Sequence, residues 1–504
     1  MKPTTATAQF ATIVNLCIGL FGVQVVWGLQ NANTSRIFQW LGADVGQLAV
    51  LWIAGPVTGA LVQPIVGYLS DRTTGRWGRR RPYILFGALS TALALVLFVN
   101  AASLAAAAAM LWFLTLSANI AMEPLRALTG DLIPPERQTR AFTLQAAFIG
   151  CGAIVSSALP WALGALFGDG PRPGGGLPGP VRYAFYIGAV TIVLAVGWTV
   201  LATREPPARP TAAEPSAPGG ARALRSAERH VTYGSLWVGA AIGGALLAWW
   251  LRLRPELYVL AALAAGLGVG QAWVGWLQRR GRQPTGLLEI AEDIVQMPSA
   301  MKQLAVIQFF TWLGLFTLWV YTVPAMAETR FASRDPTSAA YQAAADWVGV
   351  LFALYNGAAV LATPFIARAG ERFGHFRTHA ACLALGALGI AALVLRTDRS
   401  WPWLSAVGIG IAWSSILSLP YAIVASVSPA RKMGVYMGIH NLFLVAPQLV
   451  GAVFLGPVMD SAFQGRARGV PLLSAALLAV GTVAAVAFSR GRYPRPPRNA
   501  KLAL

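Results

Sequence analysis

Glu123 and Arg126 are the residues from which chemistry can first be read. They lie inside Leu111 to Asp131, LWFLTLSANIAMEPLRALTGD, a stretch with the length and composition of a membrane-crossing helix. No second Asp or Glu stands well inside any other long apolar run. A carboxylate at membrane depth costs on the order of 3 kcal/mol and marks a functional site by default. It could take up and give back a proton as its surroundings alternate between two compartments. Three residues apart, Glu123 and Arg126 share a helix face and can pair. A permanent ion pair that locks the helix is the alternative reading, and that pair would itself be a gate.

A second polar set falls in the first apolar run. Gln24, Trp27, Asn31 and Thr34 follow helical spacing along one face, and Gln30 stands beside them. Amides turned toward lipid would be costly, so they must face protein or a polar cavity. An amide both donates and accepts, which suits a hydroxyl-rich ligand; bonding between helices is the alternative for any one of them. Trp312 and Trp319, seven apart on a later run, could stack on sugar rings or simply pack. Asn119, Tyr355, Asn356, His440, Asn441 and Gln448 extend the candidate set. His440 is of a type that titrates near neutrality, and a hydrogen-bonded structural role is its alternative.

These residues need elements to hold them. Of 504 residues, 56% are hydrophobic and 12% charged, against about 25% charged in ordinary soluble domains. Apolar runs of about 20 residues recur, each long enough to cross about 30 Å of hydrocarbon. The composition therefore reads as an all-α polytopic membrane protein. Six spans are expected in a first half, 1–203, near 10–31, 46–68, 83–101, 104–130, 141–167 and 182–202. Six more are expected in 303–490, near 303–326, 346–367, 379–396, 402–427, 434–458 and 471–489. Between them, 204–302 holds a Pro/Ala/Arg-rich linker (within 203–232) and two further apolar runs, together at about 234–277. The pair reads as an extra membrane hairpin, about fourteen helices in all, or as two interfacial or buried helices. Residues 491–504 form a basic tail.

The net charge of +20 comes from Lys and Arg, placed mostly in short loops. With the N-terminus in the cytoplasm most of them fall inside, so both termini are expected to be cytoplasmic. The run 170–180, with GPRPGGGLPGP, then becomes an external loop. An anionic membrane surface is the charged partner implied; no basic face with stacking aromatics points to nucleic acid. Cys17, Cys151 and Cys382 sit in apolar runs without metal-ligand spacing and read as packing residues. No metal and no cofactor other than a coupling proton is implied. No His cluster, nucleotide loop or nucleophile with a paired base supports an enzyme. No cleaved signal peptide is read, and Asn33-Thr34-Ser35 is an incidental sequon match. Arg outnumbers Lys and Ala is abundant, a composition that suggests a bacterial source and hence a cytoplasmic (inner) membrane.

The loop after the second span runs Gly67, Asp71, Arg72, Gly75, Arg76, Gly78, Arg79, Arg80, Arg81, Pro82 with the residues between. Glycines allow a tight turn and close helix approach, while Asp71 can hold arginines across a gap. The gate is expected to use Gly67, Asp71, Arg72, Arg79 and Arg80, with Asp131 nearby. A degenerate copy, Ala369-Gly370-Glu371-Arg372-Phe373-Gly374, follows the eighth span and adds Arg372. One such loop per half argues for two repeated halves.

These motifs resemble the major facilitator superfamily, and in detail its glycoside–pentoside–hexuronide symporters, the sucrose-transporter branch among them. Gly22 to Gln30, Gln63 to Pro82, Pro124 with Arg126-Ala127-Leu128 and Asp131-Leu132, and Asn441-Leu442 with Pro447-Gln448 and Gly456-Pro457 carry the likeness. It covers both halves and leaves out the inserted hairpin. The resemblance implies a monomeric importer in which a disaccharide, sucrose, maltose or a related α-glucoside, enters with a proton. Two departures matter. Plant members place an acidic residue at the position of Thr115 and an acidic pair where this chain has Tyr321-Thr322-Val323-Pro324, so coupling would rest on Glu123. Sodium coupling, drug export and a non-transporting sugar sensor stand as alternatives. Scarce membrane-depth acids favour the proton over sodium, amides argue against drug export, and a short tail argues against a sensor.

Overall fold

The computed structural model describes residues 6–489 except 74, 76, 134, 169–176, 204, 206–219, 251–256, 281–293, 295–296, 396–400 and 428–432. Residues 169–176 of the external loop, 204 and 206–219 of the central linker, Arg431-Lys432 and the basic tail lie outside the described residues. Fourteen long helices make up the rest, and no strand occurs among the described residues. In chain order they are α1 (Ala6–Trp40), α2 (Ala54–Arg72), α3 (Arg81–Val99), α4 (Leu104–Leu132), α5 (Pro135–Phe167), α6 (Gly179–Ala202), α7 (Gly220–Trp250), α8 (Leu257–Arg279), α9 (Ser299–Arg330), α10 (Ala339–Phe373), α11 (His375–Leu395), α12 (Trp401–Val427), α13 (Met433–Ser461) and α14 (Val470–Phe488). A short helical turn, Val45 to Leu51, leads into α2. Among the described residues, 13 helices are long and apolar enough to cross a membrane. They are all but α8. A helix satisfies its own backbone, which is why apolar runs in hydrocarbon take this form.

The packing shows an internal repeat. In the first half α1 packs on α5 and α6, α3 on α4 and α6, and α2 on α4. In the second half α9 packs on α13 and α14, α11 on α12 and α14, and α10 on α12. Each pair in one half therefore recurs in the other. The halves join through α5 against α10 and α2 against α13, an exchange that matches a two-fold relation. Small residues allow these close approaches. A Cβ added at Gly349 of α10 would lie 2.5 Å from the Ser157 carbonyl of α5.

The inserted hairpin packs mainly on itself, α7 against α8, with slight contact to α13. Gly234 and Gly268 bring the two backbones together, and His230 Nδ1 lies 2.7 Å from Gln271 Oε1. Ala227–Trp250 of α7 is long and apolar enough to span.

The helix α7 begins at Gly220, inside the stretch expected as a linker, and α1 runs past its expected end. The run Asn31 to Arg36 looks too polar for a membrane helix, which suggested an end near residue 31. The helix instead continues to Trp40 because those polar groups are bonded inside the protein. Ser35 Oγ donates to the Val320 carbonyl at 2.8 Å, and Arg36 bonds Gln342 and Asp346. The Val320 carbonyl is free because Pro324, four residues on, has no N–H to offer it.

The Gly349 approach leads to a paired stability test. Gly349→Leu is expected to lower the detergent melting temperature by several degrees, as overpacking costs about 1–3 kcal/mol. Gly239→Leu in α7, where an added Cβ meets nothing within 4 Å, is expected to leave it unchanged.

Candidate functional site

Ser103 starts α4 by accepting from the Ala106 N–H, and Pro124 interrupts the helix beside Glu123 by withholding an N–H from Ile120. Glu123 is half-buried and Arg126 exposed. No hydrogen bond or ion pair links the two among the described residues; the ion pairs of this half run from Arg79 and Arg80 instead. The Glu123 side chain lies beside Gly67 of α2, its Cγ 3.9 Å from a Cβ built there. Both charges lie within electrostatic range of Tyr421 on α12, in the opposite half. The carboxylate is thus not locked by its neighbour.

The α1 face holds a row of buried polar atoms without partners. Trp27 Nε1, Gln30 Oε1 and Thr34 Oγ1 each lack a hydrogen bond. Gln24 lies where Gly152 of α5 comes close, and Asn31 is half-buried. Across the halves, α9 adds Trp312 Nε1 and both amide atoms of Gln308, one turn earlier, again buried and without partners. On α13 both ring nitrogens of His440 are in the same state. Its ring packs edge-on to Tyr421, centroids 4.7 Å apart, and to Phe443 at 6.0 Å. The structural alternative for His440, a hydrogen-bonded imidazole, is therefore not what this conformation contains.

Trp312 and Trp319 belong to a three-indole cluster with Trp413 of α12, centroids 5.6 to 6.0 Å apart. Trp319 Nε1 donates to the Tyr355 hydroxyl at 3.3 Å. Other candidate amides are occupied. Asn119 donates to Thr58 Oγ1 and the Thr115 carbonyl, and its Oδ1 accepts from Gln63 at 2.7 Å. This ties α4 to α2, the interhelical role. Asn356 and Gln448 each donate to the carbonyl four residues back, and Asn441 is half-buried.

At the end of the bundle that bears the basic loops, Asp131 receives Arg79 at 2.7 Å and Arg80 at 2.6 Å. Glu205, just beyond α6, accepts from Arg79 and from the Arg80 backbone N–H. Gly78, at φ +91, makes the turn; a side chain there would strike Glu205. These four charged residues all belong to the first half. The side chains of Asp71 and Arg72 lie outside the described residues, and Arg372 stacks over the Phe373 ring at 5.3 Å.

The other end is sealed across the halves. Arg36 Nε donates to Gln342 Oε1 and its Nη1 to Asp346 Oδ1, both at 2.5 Å. Tyr341 bonds Gln39. Trp52 Nε1 donates to Ser35 Oγ at 3.0 Å and its ring meets Phe316 edge-on. Arg36, Gln342, Asp346, Glu205, Trp413, Tyr421 and Gln308 are absent from the residues singled out by sequence. An Arg followed by Ile37-Phe38 at the end of a polar run was the available signal for Arg36.

Comparison with known proteins agrees with this architecture. Residues 37–248 match the family described as MFS/sugar transport protein, and residues 304–504 match the Major Facilitator Superfamily. The chain is 23% identical to the sucrose transport protein SUC3 of Arabidopsis thaliana, over 96% of this chain and 88% of that protein. It is 30% identical to the proton-associated sugar transporter A of Homo sapiens, over 39% of this chain and 28% of that protein. An auto-inhibited POT family peptide transporter of known structure superposes with a TM-score of 0.69 at 15% identity, covering 97% of this chain and 98% of that one. At that identity the likeness shows the fold alone.

The contrast between bonded and orphaned polar groups is testable by melting temperature. Asn119→Leu is expected to lower stability by about 1–3 kcal/mol, because it strands Gln63 and Thr58. His440→Leu is expected to leave stability unchanged or raise it, since no bond is lost; a fall of several degrees would show that the imidazole has a partner.

Proposed function

This chain belongs to the major facilitator superfamily, and from that premise we propose that it imports a disaccharide together with a proton. Sucrose, maltose or a related α-glucoside is the proposed cargo. One observation carries the reading: the unpartnered buried polar atoms on α1, α9 and α13. They mix indole N–H donors, an amide acceptor, a hydroxyl and an imidazole. Sugar hydroxyls both donate and accept, so one ligand type can satisfy all of them, and indole rings offer faces for the apolar side of a pyranose. The plant relative is a sucrose transport protein and the human one a proton-associated sugar transporter, which supports a sugar as cargo.

Charge placement supports the direction. Most basic loops lie at the end bearing the termini, which the positive-inside rule makes cytoplasmic. We assign the protein to a bacterial cytoplasmic membrane, acting as a monomer. The sealed end then faces outward, and on this reading the site is reached from the cytoplasmic side. In the cycle, Glu123 takes a proton from outside and sugar binds to the α1 amides and the indoles. The halves then rock about the α5–α10 and α2–α13 contacts, and both cargoes leave inward. Arg126, unpaired with Glu123 in the inward-facing state, would assist release of the proton by favouring the charged carboxylate.

Uptake of labelled sucrose and maltose into proteoliposomes tests this. A pH gradient, inside alkaline, is expected to drive accumulation, and a sodium gradient alone is not. Glu123→Gln should abolish pH-driven accumulation while keeping sugar exchange. Accumulation that is indifferent to pH, or unchanged in that variant, contradicts the coupling. Asn31→Ala and Trp312→Ala should each raise the half-saturation concentration roughly fivefold, the effect of one lost hydrogen bond of about 1 kcal/mol.

A further inference from the structure

The sealed end joins the two halves through buried polar groups, whereas Gly349 joins α10 to α5 by close backbone approach, and this polar joint is what requires explanation. Arg36 is 1% exposed, and its described bonds run to the other half: Nε to Gln342 and Nη1 to Asp346. Beside it, Ser35 Oγ donates to the Val320 carbonyl, which Pro324 leaves without its helical donor. Ser35 Oγ in turn accepts from Trp52. Tyr341 reaches back to Gln39. A buried ion pair adds little net stability while intact, yet either member alone is costly. A contact of that kind suits a joint that must open as a unit.

We infer that Arg36 and Ser35 form a releasable latch at the sealed end, and that this latch sets how often the unloaded carrier opens there. Three observations make it releasable. The Asp346 side chain is 26% exposed, so water can take over its bonding when the halves part. Gln342 and Asp346 sit in the first two turns of α10, next to the loop 331–338. The non-ionic arm uses a carbonyl that proline has already freed, so releasing Ser35 breaks no helical hydrogen bond. The latch also shares α1 with the orphaned Trp27, Gln30 and Thr34. Closing the latch and presenting those groups to the second half are therefore movements of one helix. Arg36 is thus a positioning residue for the site. The inference rests on the transport reading for its purpose and on geometry alone for its existence.

The test needs no sugar and no coupling ion, so it can fail independently of the proposed function. Cys17, Cys151 and Cys382 are replaced by Ala or Ser, and Thr34→Cys is introduced beneath the seal as a reporter. A membrane-impermeant maleimide is added to proteoliposomes from the side away from the termini. With the latch intact, labelling is expected to be slow. Arg36→Ala should speed it at least tenfold, and Pro324→Ala, which restores a helical donor to Val320, should speed it severalfold. The exchange of charges, Arg36→Asp with Asp346→Arg, should return it toward the slow rate, which no general loosening of the fold would do. Labelling as fast with Arg36 present as in Arg36→Ala, or a charge exchange as fast as the single variant, would overturn the latch.

Discussion

A polar atom within hydrocarbon must find a partner or a ligand, and the rest of this structure depends on how that constraint is met. The backbone meets it by forming helices throughout. Most side chains meet it locally, as when Thr115, Thr311 or Asn356 returns a hydrogen bond to the carbonyl a turn behind. Asn119 meets it by joining α4 to α2 through Thr58 and Gln63. Pro324 creates an unmet acceptor at Val320, and Ser35 of the other half fills it. Among the buried polar atoms left without a partner are those of Trp27, Gln30 and Thr34 on α1, Gln308 and Trp312 on α9 and His440 on α13; others stand elsewhere, at Gln303, Thr378, His379 and Ser405. The first set is the one the proposed function assigns to a polar ligand.

The two ends of the bundle meet the same constraint in opposite ways. At the basic end Asp131 and Glu205 gather Arg79 and Arg80, all four belonging to the first half. At the sealed end Arg36 reaches its partners only by crossing to α10. Glu123 lies on the way from the basic end, close to Gly67 and within the electrostatic reach of Tyr421. The proposed coupling role asks of this carboxylate that it meet water from one side while the other is shut.

The spans, the repeated halves and the nearness of Arg79 and Arg80 to Asp131 were legible in the sequence, because hydrophobic period and glycine–charge spacing are local properties. The extent of α1 was not. Its polar end is tolerable only through residues some three hundred positions away, and no local pattern records Gln342 or Asp346 as partners. The same holds for Glu205, which closes the Arg79–Arg80 network from beyond α6, and for Trp413, which completes the indole cluster from another helix. The Glu123–Arg126 spacing permitted a pair, and the fold holds both charges toward the opposite half without forming it. Helical spacing establishes a shared face; it does not establish which face the cavity takes.

The central claim is that sugar and proton cross together, and direct observation of the proton tests it most plainly. Proteoliposomes holding a pH-sensitive dye, with no imposed gradient and with sodium absent, would receive sucrose or maltose from outside. The account predicts that the lumen acidifies as sugar enters, and that Glu123→Gln takes up sugar toward equilibrium with no acidification. Sugar entry through the unaltered protein with the internal pH unmoved would contradict it.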